Sequence, residues 1–396
     1  MTSRMPRPLH FFALFLALLL PSAASATPSL HTTTIQTIGP VIGVVAQPKK
    51  STLSPCDGTC EYIAASYVKW VESAGGRVLP IPYDASPKDL DTIFASVNGL
   101  LFPGGSNLIS KGAKYLFSRA RQANEAGDFF PVWGTCLGLE WMVEAVCAEA
   151  EENDPSIPHF IMDSDYDAWN LTLPLLFTES ASISRLFQGL NPSLLSAAAH
   201  SNLTLNNHHK GVAPAHLEAT PALSTFFDVL STNFDRAGLP FVSTVEGKDG
   251  MPFYGVQFHP EKAMFEWGVE GGGEGGKEDD EVVWPYEVIN HSPAAQALSR
   301  YLAEFLIGEA RKNGHVFPEA RGGEVLSWAY PVVYSGPEFV QSYFFHEYYF
   351  PGKDDDGVKE EGGAAVGPVG EERDSEKALR GTKNVKSSSG VLLEVA

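Results

Sequence analysis

The chain has 396 residues, a formal net charge of −20 at pH 7 and only four cysteines. Such acidity excludes nucleic acid and anionic membrane surfaces as partners, because phosphate binding needs concentrated Lys and Arg. So few cysteines exclude a disulfide-built scaffold, and burial of apolar surface must hold the core.

Arg4 and Arg7 precede an apolar run from Phe11 to Leu20, followed by Pro21 and the small-residue pattern Ala24-Ser25-Ala26. A basic segment, a hydrophobic segment and a cleavage point after Ala26 describe a secretory signal peptide over residues 1–26, and the run is short for a membrane span. Entry into the secretory pathway gives weight to three N-glycosylation acceptor patterns, at Asn170, Asn202 and Asn290. In an oxidising lumen Cys56 and Cys60 lie close enough to pair locally, which leaves Cys136 and Cys147.

From 34 to 350 the chain alternates between strand and helix patterns. Val41 to Ala46 is a continuous apolar run of the kind a parallel strand buried on both faces requires. Tyr62 to Val71 has helical spacing and is closed by Gly75-Gly76. Val78 to Ile81 reads as a second strand, Leu90 to Ala95 as a short helix, and Gly99 to Phe102 as a third strand running into Pro103-Gly104-Gly105. A helix centred on Tyr115 to Ala123 leads to the next short strand. This rhythm predicts an α/β fold, a doubly wound and mostly parallel sheet with helices on both faces and ligands at the carboxyl ends of its strands.

That next strand enters Gly134-Thr135-Cys136-Leu137-Gly138 and leaves as a helix, with Leu139, Met142, Val143 and Val146 on one face. The pattern is the thiol counterpart of the Gly-x-Ser-x-Gly elbow, in which a strained turn lifts the nucleophile above the sheet. Cys136 then sits at a helix N-terminus, where the backbone dipole favours a thiolate.

Glu151 to Thr225 is less regular. Trp169 to Phe177 and Ser201 to Leu205 have strand-like stretches, and Ser193 to Ala199 is helical. Asn206-Asn207-His208-His209-Lys210 reads by composition as a polar surface loop, and adjacent histidines diverge, which argues against a metal site. Phe226 to Leu230 and Phe241 to Val245 are strand patterns, and Phe253 to Phe258 leads into His259-Pro260-Glu261. Across the proline, Glu261 can fold back to hydrogen-bond one imidazole nitrogen while the other faces the thiol. The acidic, Gly-rich insertion at 269–282 and the low-complexity tail at 351–396 bury too little surface to order themselves.

The elbow and His259-Pro260-Glu261 together resemble the class I glutamine amidotransferase-like hydrolases. With Tyr62 to Lys69, Phe102 to Ser106, Pro131 to Gly138 and Tyr254 to Ala263, the resemblance narrows to the γ-glutamyl hydrolase family, peptidase family C26. It implies a flavodoxin-like fold and hydrolysis of γ-linked glutamates in folyl and antifolyl polyglutamates, a small-molecule substrate. Cys136 would be the nucleophile, His259 the general acid/base and Glu261 its orienter. His209 would match the family's second active-site histidine, although two histidines stand where one is expected. The fold's logic adds the N–H groups of Gly105 and Leu137 as an oxyanion hole. No metal or other cofactor is implied; a homodimer and an extracellular, lysosomal or vacuolar location are. A related amidase acting on glutamine or γ-glutamyl amines, or a binding protein that kept the fold, are the other classes the pattern admits.

Overall fold

The computed structural model describes residues 37–51, 58–267, 269–270, 284–285, 287–330, 332–334 and 341–345. The expected signal peptide, Cys56, residues 271–282 of the insertion and the 351–396 tail lie outside them.

The central sheet grows outward from β1 (Val41–Val45), β2 (Gln47–Ser51) and β3 (Gly58–Ala64) belonging to a smaller neighbouring sheet. Next come α1 (Ala65–Ser73), β4 (Arg77–Ile81), α2 (Pro87–Phe94), β5 (Gly99–Phe102) and α3 (Lys111–Glu125). They are followed by β6 (Val132–Thr135), α4 (Leu137–Asn153), β7 (Ala168–Leu173), β8 (Leu176–Phe177) and β9 (Thr204–His208). The strands end with β10 (Phe227–Phe234), β11 (Pro240–Gly247) and β12 (Phe253–Val256), and α5 (Pro293–Ala310) comes later in the chain. The eight-stranded order is β4-β1-β5-β6-β12-β11-β10-β8. The pairs from β4 to β12 are parallel, whereas β11, β10 and β8 extend the sheet in antiparallel fashion.

Side chains of the parallel strands alternate between two cores. Val41, Leu100, Phe102, Val132 and Phe253 pack with α2, α3 and α4. Ile42, Val44, Leu101, Trp133, Tyr254 and Val256 pack with α1 and α5 on the other face. Both faces are buried, which is why these strands read as apolar runs without alternation. The helices start where the sequence supplies caps: the Ser86, Ser110 and Ser292 hydroxyls accept N–H bonds at the starts of α2, α3 and α5.

Two expectations change. Tyr62 and Ile63 are strand, paired with Gln47 on β2 and with Tyr343 of the strand Gln341–Phe345, so α1 begins three residues after the helical pattern does. Asn206, Asn207 and His208 are not a surface loop but the end of β9, paired with β7 through Leu171↔Asn206 and Ala168↔His208. Asn206 is fully buried and its side-chain amide N–H donates to Leu171 O of β7 and to Thr204 O. Among the described residues no helix is long and apolar enough to cross a membrane.

Candidate active site

Three strand ends converge at the carboxyl edge of the parallel sheet: β5 runs into Pro103-Gly104-Gly105, β6 into Cys136, and β12 into Gln257-Phe258-His259. Cys136 has φ 52° and ψ −110°, a left-handed conformation uncommon outside glycine. Its N–H donates to Val256 O at 2.7 Å, tying the elbow to the strand that delivers His259. The elbow needs its glycines for approach. A Cβ on Gly138 would stand 1.9 Å from Phe102 O, and one on Gly134 2.5 Å from Gly138 O.

His259 is buried on the same floor, its main-chain N–H donating to Leu205 O of β9 at 2.9 Å. Its Nδ1 is 2.7 Å from Glu261 Oε1, and the imidazole is close enough to Cys136 for the two to influence one another electrostatically. A proton on Nδ1 given to Glu261 leaves Nε2 for the sulfur. Burial works against a charged imidazole here, but Glu261 and Cys136 together outweigh it and carry His259 up to about 10.

Tyr67, on α1, joins the two halves. Its hydroxyl accepts the Gly104 N–H at 2.7 Å, lies 3.5 Å from His259 Nδ1 and is near enough to Glu261 to feel its charge. Burial, then the negative charges of Glu261 and Cys136, push its pKa well above the usual range, so it remains a neutral hydroxyl. A Cβ on Gly104 would meet both His259 Cε1 and Tyr67 Oη at 2.7 Å, so no other residue fits that turn. Because Gly104's N–H is occupied by Tyr67, Gly105's is the next along the turn, beside the amide of Gln47. Leu137 opens α4, where first-turn N–H groups lack helical acceptors.

The two middle histidines separate. His208 is buried, its Nδ1 bonded to Lys210 O and its ring against Phe241, and it feels the charge of His259. Burial, chiefly, pushes it down to about 4, so it stays neutral. His209 is exposed, stacked on Trp169 at 5.3 Å with its Nδ1 bonded to Tyr166 O.

Sequence reasoning missed Tyr67, Gln257 and Glu140. Gln257 Nε2 lies 3.8 Å from Cys136 Sγ and donates to Glu140 Oε1 at 3.0 Å. Glu140 is the charged residue in the buried run Leu137–Val143 of α4, and that carboxylate in an apolar stretch was a readable signal. Burial raises it to about 7 against the opposing influence of Gln257, Lys210 and His259. Of the sequon asparagines, Asn202 is exposed, Asn170 Oδ1 accepts Val288 N–H, and Asn290 Nδ2 donates to Asn202 O. Cys136 and Cys147 are both free thiols, and burial, chiefly, pushes Cys147 up to about 12, as befits a structural thiol. Among the described residues no cluster of His, Cys, Asp and Glu could hold a metal ion.

A doubly wound sheet thus carries a cysteine on a strained elbow, beside a His-Pro-Glu turn on the next parallel strand. The peptidase C26 family model matches residues 40–261. γ-Glutamyl hydrolase of Mus musculus is 39% identical over 314 residues, 77% of this chain and 89% of the relative. The Homo sapiens enzyme of that name is 37% identical with the same coverage, and γ-glutamyl hydrolase 1 of Arabidopsis thaliana is 34% identical over 69% of this chain and 72% of its own. The chain belongs to the peptidase C26 family of γ-glutamyl hydrolases.

Proposed function

We propose that this hydrolase cleaves the γ-amide bonds of folyl and antifolyl poly-γ-glutamates through a Cys136 acyl-enzyme. The observation that carries the reading is the placement of Cys136 and His259 at the ends of adjoining parallel strands, with His259 Nδ1 2.7 Å from Glu261 Oε1, in a chain whose relatives bear the name γ-glutamyl hydrolase. Cys136 Sγ attacks the γ-carbonyl carbon, and the oxyanion is held by the Gly105 and Leu137 N–H groups. His259 enters the reaction protonated and gives its Nε2 proton to the leaving amine of the departing glutamate. Water then attacks the thioester with His259 as base, freeing Cys136. Glu261 and Tyr67 keep the imidazole aimed throughout. His209, at the rim, contacts the substrate outside the reacting bond.

Digestion of a pteroyl pentaglutamate by the full chain, followed by chromatography of the products, tests this. Shortened polyglutamates should accumulate, and Cys136→Ala and His259→Ala should each lose about 1,000-fold or more in kcat/KM. Robust turnover by the Cys136 variant, or cleavage confined to glutamine or γ-glutamyl amines, would overturn the reading.

The basic-apolar-small N-terminal pattern and the exposure of Asn202 support a secreted glycoprotein, delivered outside the cell or to a lysosome or vacuole. Expressed in a secreting eukaryotic host, the protein should begin after Ala26 and lose mass on N-glycosidase treatment. Retention of the first 26 residues, or no mass change, would count against it.

A further inference from the structure

Two further side chains meet at the Cys136 sulfur. Gln257 directly follows β12 and is fully buried, and two main-chain bonds fix where it stands. Its N–H donates to Ser243 O of β11 at 2.9 Å, and the carbonyl just before it, Val256 O, accepts the Cys136 N–H at 2.7 Å. The backbone that carries the amide is thereby tied to the elbow. Glu140, also buried, lies in the first turn of α4 with its N–H donating to Cys136 O at 3.2 Å, so the two residues are one helical turn apart.

The Gln257 side chain spans them. Its Nε2 lies 3.8 Å from Cys136 Sγ and donates to Glu140 Oε1 at 3.0 Å. A primary amide nitrogen carries two hydrogens, and here each has one acceptor. The amide oxygen is buried and, among the described residues, has no partner. Leaving a buried acceptor unpaired is unfavourable, yet turning the amide over would set that oxygen against the Glu140 carboxylate. The orientation that remains aims a donor at the sulfur.

From this placement, and resting on Cys136 as the nucleophile proposed above, we infer that Gln257 is a catalytic residue whose Nε2–H holds the sulfur in its anionic form, and that Glu140 is the positioning residue that fixes the amide. A hydrogen bond to an anion is stronger than one to a neutral atom, so this donor favours the thiolate over both the thiol and the thioester. It acts before attack, by holding the charged sulfur in place. It acts again in deacylation: the water oxygen bonds to the thioester carbon as its proton passes to His259 Nε2, and the C–Sγ bond then breaks with its electron pair going to sulfur. The Gln257 N–H meets the charge that develops there.

Alkylation of the full chain by iodoacetamide at neutral pH, read at Cys136 by peptide mass mapping, tests the contact without any substrate. Gln257→Met keeps the length of the side chain and removes the donor. It should slow alkylation of Cys136 by about tenfold or more, and lower kcat on a pteroyl pentaglutamate comparably without raising KM. Glu140→Leu should show the same losses to a smaller degree, and Glu140→Gln, which still offers an acceptor oxygen, should recover most of them. Because Glu140 acts through Gln257, adding Glu140→Leu to Gln257→Met should cost nothing further. Additive losses would overturn the positioning role, and wild-type alkylation in Gln257→Met would overturn the contact. Should that variant fail to fold, as a melting curve would show, Glu140→Leu carries the test, and alkylation at the wild-type rate there overturns the inference. Failure of the wild type to cleave the pentaglutamate strikes the substrate reading and leaves the alkylation result to decide this one; robust turnover by Cys136→Ala removes both.

Discussion

At the scale of single residues, Tyr67 bridges the two sides of the site: its hydroxyl accepts from the glycine turn and lies 3.5 Å from His259 Nδ1. Tyr67→Phe keeps the buried ring but leaves the Gly104 N–H without its acceptor. Loss of one oriented hydrogen bond in a buried network should lower kcat on the order of tenfold, with KM little changed. Steady-state kinetics decide this, and wild-type kcat in the variant would reduce Tyr67 to packing. Nothing local in the sequence marks Tyr67, because its role depends on α1 passing beneath a turn contributed by another strand. Cys136, His259 and Glu261 were legible because each stands in a short pattern whose glycines or proline restrict the backbone. The histidine pair was not, since adjacent side chains on a strand point to opposite faces and only the pairing of β9 with β7 decides which is buried.

At the scale of elements, the elbow depends on how closely α4 approaches β5. Gly138 rests on the Phe102 carbonyl at a separation that excludes a methyl group. Gly138→Ala must push the helix start away from the sheet, and overpacking of this kind costs about 1–3 kcal/mol or more. The expected result is a lowered thermal midpoint together with lost activity, because Cys136 moves with the helix. A variant that melts like the wild type would show that the contact is not restrictive. The parallel strands and their helices were legible through apolar runs and capping serines. The start of α1 was not: Tyr62 and Ile63 fit a helical spacing, but pairing on both sides draws them into β3.

At the scale of the whole molecule, three buried groups shape stability against pH. His208 falls from an ordinary 6.5 to about 4, so its contribution is complete above 6.5 and is lost as pH drops through 4. Glu140 rises from 4.5 to about 7, so the folded state binds the extra proton and stability is lost as pH climbs from 4.5 through 7. His259 rises from 6.5 to about 10, giving stability that is full below 6.5 and lost as pH climbs through 10. Each change is on the order of 3 to 5 kcal/mol at about 1.4 kcal/mol per pKa unit. Between 4.5 and 6.5 the first two oppose one another, and above 6.5 the losses act in the same direction. Urea midpoints should therefore be highest between about pH 5 and 6.5 and decline toward pH 10, with Glu140→Gln reducing the loss up to pH 7. A midpoint that climbs steadily from pH 6 to 10 would contradict this. The sequence by itself determined the sheet's alternation, the cysteine elbow and the His-Pro-Glu turn, because those follow from local patterns of burial and backbone restriction. Only the tertiary structure decided that Tyr67, Gln257 and Glu140 stand beside them, since contacts between strand ends far apart in the chain leave no periodic trace. The stretch introduced as a polar loop thus became a strand paired with β7, its Leu205 carbonyl accepting the His259 N–H.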